Sequence, residues 1–363
     1  MKKFLRVLAL FLLPVALLYG LFAAVLVSTR ELAGMEEIVA ATLDGSLTLY
    51  GTSHHENFAT YKLRVTSALA PRLLVLGTSR SMQLRGEFFS EKSFYNAGGA
   101  VRNMADYEDF LRRLPEEALP ETLLVVLDQN MFNTNWRQSS PTAPQDYGEL
   151  EMDFFDTLLR TGLDYGNRKF SIAKTILPQQ GVYGLAAAAR GMGFAVDGSY
   201  RYGKTAEKNL DQPEKNFADT YRNIDFGELR FAYGEAPDAL ALSQLDGLLA
   251  FCAEKEIRVV GFLPPFPPAV NRRMEQNGGY GYLDTLYEEV ARRFAGYGWE
   301  FYDFTAVDSA DDEYLDGFHG GDRVYAKIAL NLSGNSEILS KNIDSVTLEK
   351  LLAERGGNPR ILP

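Results

Sequence analysis

Short apolar runs alternate with helical patterns along residues 71–332, and this alternation restricts the fold more than any other feature of the chain. Strands that alternate with helices form a parallel sheet with helices on both faces. The sequence therefore predicts an α/β fold. The predicted strands are 73–76, 94–95, 123–127, 257–263 and 299–304, and the predicted helices are 103–114, 238–255, 283–294 and 322–332.

The N-terminus carries a targeting signal. Three basic residues precede an uncharged apolar run, residues 7–27, which is about as long as a membrane-spanning helix. The basic flank predicts a cytoplasmic N-terminus and an extracytoplasmic remainder. A cleaved signal peptide is the alternative, but its apolar region is usually only about 7–15 residues and ends in small residues. We favour a retained signal anchor over residues 1–30, and a single-pass protein of the bacterial cell membrane.

Composition excludes several classes of function. The formal net charge is −11, and an acidic surface repels phosphate backbones, so we expect no nucleic-acid partner. One cysteine, Cys252, allows no internal disulfide. The chain has three histidines, His54, His55 and His319, of which the first two are far from the third in sequence. We therefore expect no metal site and no cofactor.

The chain divides into three predicted regions after the anchor. Residues 31–70 are interpreted as a stalk and approach segment, and residues 71–332 as the α/β domain. Within that domain the alternation stops between about 131 and 235, in a stretch rich in Gly, Tyr and Phe. We interpret this stretch as an insertion that forms a lid or acceptor platform, or alternatively as packing at the domain edge. Residues 333–363 form a C-terminal tail whose end, 356–359, is predicted to be frayed.

A candidate nucleophile follows the first predicted strand. The segment 77–80 reads Gly-Thr-Ser-Arg, and ligands of parallel sheets bind outside the carboxyl ends of the strands. Ser79 on the turn between strand and helix has its N–H at a helix N-terminus, which suits a nucleophile beside a developing oxyanion. The alternative is a serine that only caps the helix.

A candidate base follows the last predicted strand. The segment 316–319 reads Asp-Gly-Phe-His, and a serine nucleophile needs a base, usually histidine. Asp316 is close enough in sequence to hold the imidazole of His319 in the correct tautomer. The alternative is an Asp-Gly turn followed by a histidine that caps the next helix.

The order of these motifs resembles the SGNH or GDSL-type hydrolase superfamily. In that family, serine follows the first strand and Asp-x-x-His follows the last, as Ser79, Asp316 and His319 do here. The resemblance covers roughly residues 71–130 and 256–332. It implies a flavodoxin-like three-layer sandwich and a Ser-His-Asp enzyme that acts on esters.

The resemblance also implies an oxyanion hole. The family's second block supplies a glycine N–H, which corresponds here to Gly98 or Gly99, and its third block supplies an asparagine amide, which corresponds to Asn130. The N–H of Ser79 completes the set. The third block here reads Asp-Gln-Asn-Met where the family usually has Gly-x-Asn-Asp, so Asn133 or a backbone N–H is an alternative donor.

The anchor, the Gly-x-Ser-Arg block and the Tyr-Asn-x-Gly block resemble the membrane-anchored cell-envelope branch of this superfamily. Proteins of teichoic-acid D-alanylation and alginate O-acetylation belong to that branch and work beside a multi-pass membrane acyltransferase. The resemblance implies transfer of a small acyl group to or from a cell-surface glycan or teichoic acid. Arg80 is a possible contact for an anionic substrate, or else an ordinary ion-pair partner. The alternative function is a non-catalytic scaffold or glycan-binding protein with the same fold.

Overall fold

The structure is a computed structural model that describes residues 1–55, 57–139, 145–148, 152–203, 206, 217–354 and 360–362. The chain forms two compact units. Unit 1 comprises Met1–Asn57, Gly148–Val196 and Tyr200–Lys204, and unit 2 comprises Phe58–Tyr147, Asp197–Ser199 and Thr205–Pro363. The regions interpreted as stalk and insertion therefore each contribute to both units.

The elements are numbered in chain order over the described residues. The helices are α1 (Lys2–Ser28), α2 (Met35–Leu43), α3 (Phe58–Leu69), α4 (Ala105–Arg113), α5 (Thr134–Ser139), α6 (Phe154–Gly166), α7 (Ile172–Thr175), α8 (Leu185–Arg190), α9 (Ala218–Phe226), α10 (Ala239–Glu254), α11 (Pro268–Asn277), α12 (Tyr282–Ala295), α13 (Asp322–Asn335) and α14 (Ser345–Glu354). The strands are β1 (Leu49–Tyr50), β2 (Leu73–Gly77), β3 (Phe94–Gly98), β4 (Thr122–Val126), β5 (Val182–Tyr183), β6 (Met192–Phe194), β7 (Tyr200–Tyr202), β8 (Arg258–Leu263) and β9 (Glu300–Asp303).

Unit 2 contains the predicted parallel sheet. Its described strands are five, in the order β3-β2-β4-β8-β9, and every neighbouring pair is parallel. All residues of β2 and β4 are buried, as expected for strands rich in Leu and Val that are covered on both faces. The α/β class is thereby confirmed, and the strand order is compatible with a flavodoxin-like sandwich.

The four helices predicted between the strands also form, as α4, α10, α12 and α13. Their ends lie within three residues of the predicted ones, and a side-chain cap fixes the first residue of one of them. Asp238 illustrates this, since its carboxylate accepts the N–H groups of Leu240 and Ala241 and begins α10.

Unit 1 contains α1 and a small sheet of the described strands β5-β1-β6-β7. By length and composition, α1 is able to cross a membrane. The buried carboxylate of Glu31 accepts the N–H groups of Ser53, His54 and Leu185, and so joins distant parts of the sequence inside this unit.

The C-terminal tail contains α14 and a docked end. The residues predicted to be frayed, 356–359, lie outside the described residues. Beyond them, Ile361 and Leu362 are buried, and the N–H of Ile361 donates to Asp322 Oδ1 at 2.8 Å. The described end of the tail is thus part of the core of unit 2.

Candidate active site

The turn after β2 holds Ser79 at the carboxyl edge of the sheet. Ser79 begins a 3-10 helix, Ser79–Gln83, directly after Gly77 and Thr78. The Thr78 hydroxyl accepts the N–H of Arg80 at 3.2 Å and donates to Asp128 Oδ2 at 2.7 Å. The loops after β2 and β4 are therefore tied together beside the nucleophile candidate.

The loop after β9 brings the candidate base to the same edge. His319 Nε2 lies 2.8 Å from Ser79 Oγ, and His319 Nδ1 lies 2.8 Å from Asp316 Oδ2. The structure thus places the three residues predicted from the motifs in one hydrogen-bonded chain. With Nδ1–H donating to the carboxylate, Nε2 is the nitrogen that faces the serine hydroxyl as an acceptor.

Asp316 is held as a carboxylate. Burial acts to raise its pKa, but the charge of His319 and hydrogen bonds from the His319 ring and from the N–H groups of His319 and Phe318 outweigh burial and lower the pKa to about 2. The carboxylate therefore remains ionised through the neutral range, where it can orient the imidazole and stabilise an imidazolium.

The two glycines expected in the oxyanion hole already use their N–H groups. Gly98 N–H donates to the side chain of Asn96, at 2.6 Å from Oδ1. Gly99 N–H donates to the carbonyls of Gly77, at 2.9 Å, and Thr78, at 3.1 Å. Both donors are thus engaged within the protein, which differs from the role that the resemblance implies. Gly99 lines the cavity beside Ser79 in a left-handed conformation, φ +86°, and a Cβ there would collide with a methionine side chain.

Asn130 is a better placed donor. It lies in the 3-10 helix Gln129–Phe132 after β4, lines the cavity, and its side-chain amide makes no hydrogen bond to the described residues. The alternative donor, Asn133, is occupied. Its Nδ2 donates to Ala232 O at 2.6 Å, and its Oδ1 accepts the N–H of Asn135 at 2.8 Å at the start of α5. The Ser79 N–H, which likewise has no acceptor in the described structure, and Asn130 Nδ2 are therefore the available pair.

Arg80 does not contact the cavity, in contrast to the substrate contact considered from the sequence. Its side chain has no exposed surface, and its guanidinium donates to Gln129 Oε1 at 2.7 Å and to Pro264 O at 3.0 Å. The same group lies 4.4 Å from the ring centre of Phe266 and 4.5 Å from that of Phe318. Arg80 therefore supports the residue that precedes His319, which is a positioning role.

A cavity of about 1080 Å³ opens beside Ser79. Its lining includes three exposed arginines, Arg102, Arg222 and Arg230, and the half-buried indole of Trp136. None of these four residues was predicted from the motifs. Arg102 and Arg230 make no ion pair with a described residue, whereas Arg222 lies 3.7 Å from Glu228.

Two further residues organise the site and were not predicted. Asn96 Nδ2 donates to the carbonyls of Ser81 and Leu84, and thus joins β3 to the turn that carries Ser79. Asp128 is buried and accepts the Thr78 hydroxyl. Asn96 lies inside β3 and Asp128 two residues after β4, in the same two sequence blocks as the predicted oxyanion donors, and this proximity was the only signal for them.

Comparisons with known proteins add no relative. A scan against protein-family models finds no match for the chain, and a search among curated proteins finds none either.

Proposed function

We propose that this protein is an extracytoplasmic serine acyl-transfer enzyme, with Ser79 as nucleophile, His319 as general base and Asp316 as the residue that orients it. The observation that carries the proposal is the continuous hydrogen-bonded chain from Ser79 Oγ through the His319 ring to Asp316 at the edge of a cavity. A nucleophile within hydrogen-bond reach of a base that a third group orients is the arrangement that acyl transfer requires.

The reaction proceeds in two displacements. Ser79 Oγ attacks an ester or thioester carbonyl as His319 Nε2 takes its proton, and the Ser79 N–H with Asn130 Nδ2 stabilises the oxyanion. His319 then gives the proton to the leaving group, which departs and leaves an acyl ester on Ser79. An acceptor hydroxyl, deprotonated by His319, attacks that ester and regenerates the serine. With water as acceptor the reaction is ester hydrolysis.

The cavity supports a sugar hydroxyl as the acceptor. Trp136 offers an indole face and the exposed arginines offer hydrogen-bond donors, which suits a hydroxylated or anionic polymer better than an aliphatic chain. We propose a cell-surface polysaccharide or teichoic acid as the acceptor class, as the SGNH resemblance implies. Membrane attachment through α1, with a cytoplasmic N-terminus, would place the enzyme beside a multi-pass membrane acyltransferase that supplies the acyl group.

A non-catalytic scaffold with the same fold is the second candidate. The engaged N–H groups of Gly98 and Gly99 favour it, because they leave a smaller oxyanion hole than the family pattern provides. The unoccupied amide of Asn130 and the aligned Ser79–His319 pair favour catalysis.

The test is covalent labelling of the full chain in detergent with a fluorophosphonate probe. We expect wild type to be labelled and Ser79→Ala to be unlabelled, since the probe reacts with a serine that a base activates. Ser81→Ala is the matched control, because Ser81 lies in the same turn but its hydroxyl donates to Thr78 O at 2.8 Å and is buried. It should be labelled like wild type.

A second measurement on the wild type tests whether the acyl group passes to water or to a sugar hydroxyl. Wild type with p-nitrophenyl acetate should release nitrophenolate, and added glycan should divert acetate from water to sugar, as mass spectrometry would show. Labelling that persists in Ser79→Ala, or no labelling of folded wild type, would reject the enzyme and support the scaffold.

A further inference from the structure

Helix α6 of unit 1 presents large apolar side chains to the outside. Phe155 is 73% exposed, Leu159 is 54% exposed and Leu163 is 68% exposed, and their spacing of four residues places them on one stripe. The buried residues of the helix, Thr157 and Thr161, lie on the opposite side. A surface helix of a water-soluble domain has the reverse arrangement, with its apolar stripe against the core.

The inward side of α6 carries small and hydroxyl-bearing residues. The hydroxyl of Thr157 donates to Asp153 O at 2.7 Å and lies 2.6 Å from His55 Nε2, and the hydroxyl of Thr161 donates to Thr157 O at 2.8 Å. A Cβ on Gly162 would lie 3.2 Å from the ring of Phe22 in α1. A small residue at a close helix contact is typical of helices packed within membranes.

Helix α6 contacts α1 near the end of the exposed apolar stretch of α1. Most large apolar side chains of α1 between residues 4 and 21 are exposed, whereas Phe22, Val25 and Leu26 are buried and Val27 is again exposed. Eighteen helical residues extend roughly 27 Å, close to the thickness of a bilayer's hydrocarbon core. The ring of Tyr165 in α6 lies 5.5 Å from that of Phe22. Helix α6 therefore joins α1 at the level where α1 would leave the hydrocarbon.

From this geometry we infer that α6 lies in the interfacial layer of the lipid bilayer, with Phe155, Leu159 and Leu163 inserted among the lipid chains. We assign lipid as the occupant of the stripe because α6 packs against α1, the helix that is long and apolar enough to cross a membrane. The flank beside it carries a charged pair, Asp156 and Arg160, at 2.7 Å, which suits the headgroup layer. This inference is independent of the chemistry at Ser79.

The test uses the full chain in nanodiscs that contain phospholipid and no other protein. Single cysteines are introduced as Leu159→Cys and Leu163→Cys and labelled with an environment-sensitive fluorophore. Arg160→Cys is the matched control, on the same helix but off the stripe. The native Cys252 is fully buried, so unmodified protein serves as the labelling blank.

We expect blue-shifted emission at 159 and 163 and loss of that emission when the lipids carry nitroxide quenchers on their acyl chains. Emission at 160 should be water-like and less quenched. Water-like emission at 159 and 163, equal quenching at all three sites, or failure of the chain to remain in nanodiscs would each overturn the inference. A blue shift that appears only in native membranes would identify a protein occupant and would overturn it too.

Discussion

At the scale of single residues, two asparagines near the end of β4 have different consequences for the proposed chemistry. Asn130 lines the cavity with an amide that makes no hydrogen bond to the described residues. The amide of Asn133 instead donates to the carbonyl of Ala232 and accepts an N–H in the first turn of α5. A donor that is free in the resting protein can bind an oxyanion without first losing a bond, and an engaged donor cannot. Asn130 is therefore the better candidate for the proposed oxyanion contact, and Asn133 is expected to contribute to stability.

Substituting each asparagine separates the two roles. Asn130→Ala should lower acyl-enzyme formation by about 10²–10³-fold, the cost of one oxyanion donor, with almost no change in melting temperature. Asn133→Ala should lower stability by about 0.5–2 kcal/mol, the cost of a lost helix cap, with a smaller effect on the rate. Burst kinetics with a nitrophenyl ester and thermal melting measure both. The opposite pattern would assign the oxyanion contact to Asn133.

At the scale of elements, one guanidinium connects loops from several strands. Arg80, in the turn after β2, bonds to Gln129 in the loop after β4 and to Pro264 in the loop after β8, and it supports Phe318 in the loop after β9. The planar group can do this because its donors point in fixed, divergent directions. The relative placement of Ser79 and His319 therefore depends on a residue that touches neither hydroxyl nor imidazole.

Replacement of Arg80 tests that dependence. Arg80→Lys keeps the charge but loses the planar fork, so we expect a loss of about 1.5–3 kcal/mol, the value of one hydrogen bond to a charged group, and a lower kcat with little change in KM. Arg230→Lys is the matched comparison, because Arg230 lies 4.8 Å from the same Phe318 ring but is exposed. Its stability should change by less than about 0.5 kcal/mol. Equal melting shifts in the two variants would contradict a specific role for Arg80.

At the scale of the whole molecule, α1 has two parts with different roles. Its first part is exposed and apolar, whereas Phe22, Val25 and Leu26 belong to the core of unit 1. An ordinary signal peptide would leave the folded protein unchanged when removed, but the end of this helix is built into the fold.

Two deletions check this division. Removal of residues 2–21 should leave the core of unit 1 intact in mild detergent, since the buried side chains remain. Removal of residues 2–28 should destabilise unit 1 by several kcal/mol, because burying each large apolar side chain contributes about 1.5–3 kcal/mol. Proteolysis within residues 152–196, measured against temperature, reports the difference. Identical cleavage rates for the two proteins would show that α1 is only an anchor.

The sequence by itself determined the parallel α/β class, the positions of the unit 2 strands and the long apolar helix. Each of these is encoded locally, in an apolar run, a helical spacing or the absence of charge over 21 residues. The triad candidates were found for the same reason, since parallel strands deliver their following residues to a common edge. The meeting of Ser79, Asp316 and His319 could thus be predicted without coordinates, and their catalytic roles stay a prediction.

Only the tertiary structure decided which donors are free and which segments assemble. The engagement of the Gly98 N–H depends on the rotamer of Asn96, and the burial of Arg80 depends on loops more than 180 residues away. Unit 1 joins residues 1–57 to 148–196 through strands such as β1 and β5, which are two residues long and too short to show a periodic pattern. The proposed lipid contact of α6 likewise depends on its packing against α1. In the sequence alone, the same amphipathic pattern fits a helix whose apolar stripe faces the core.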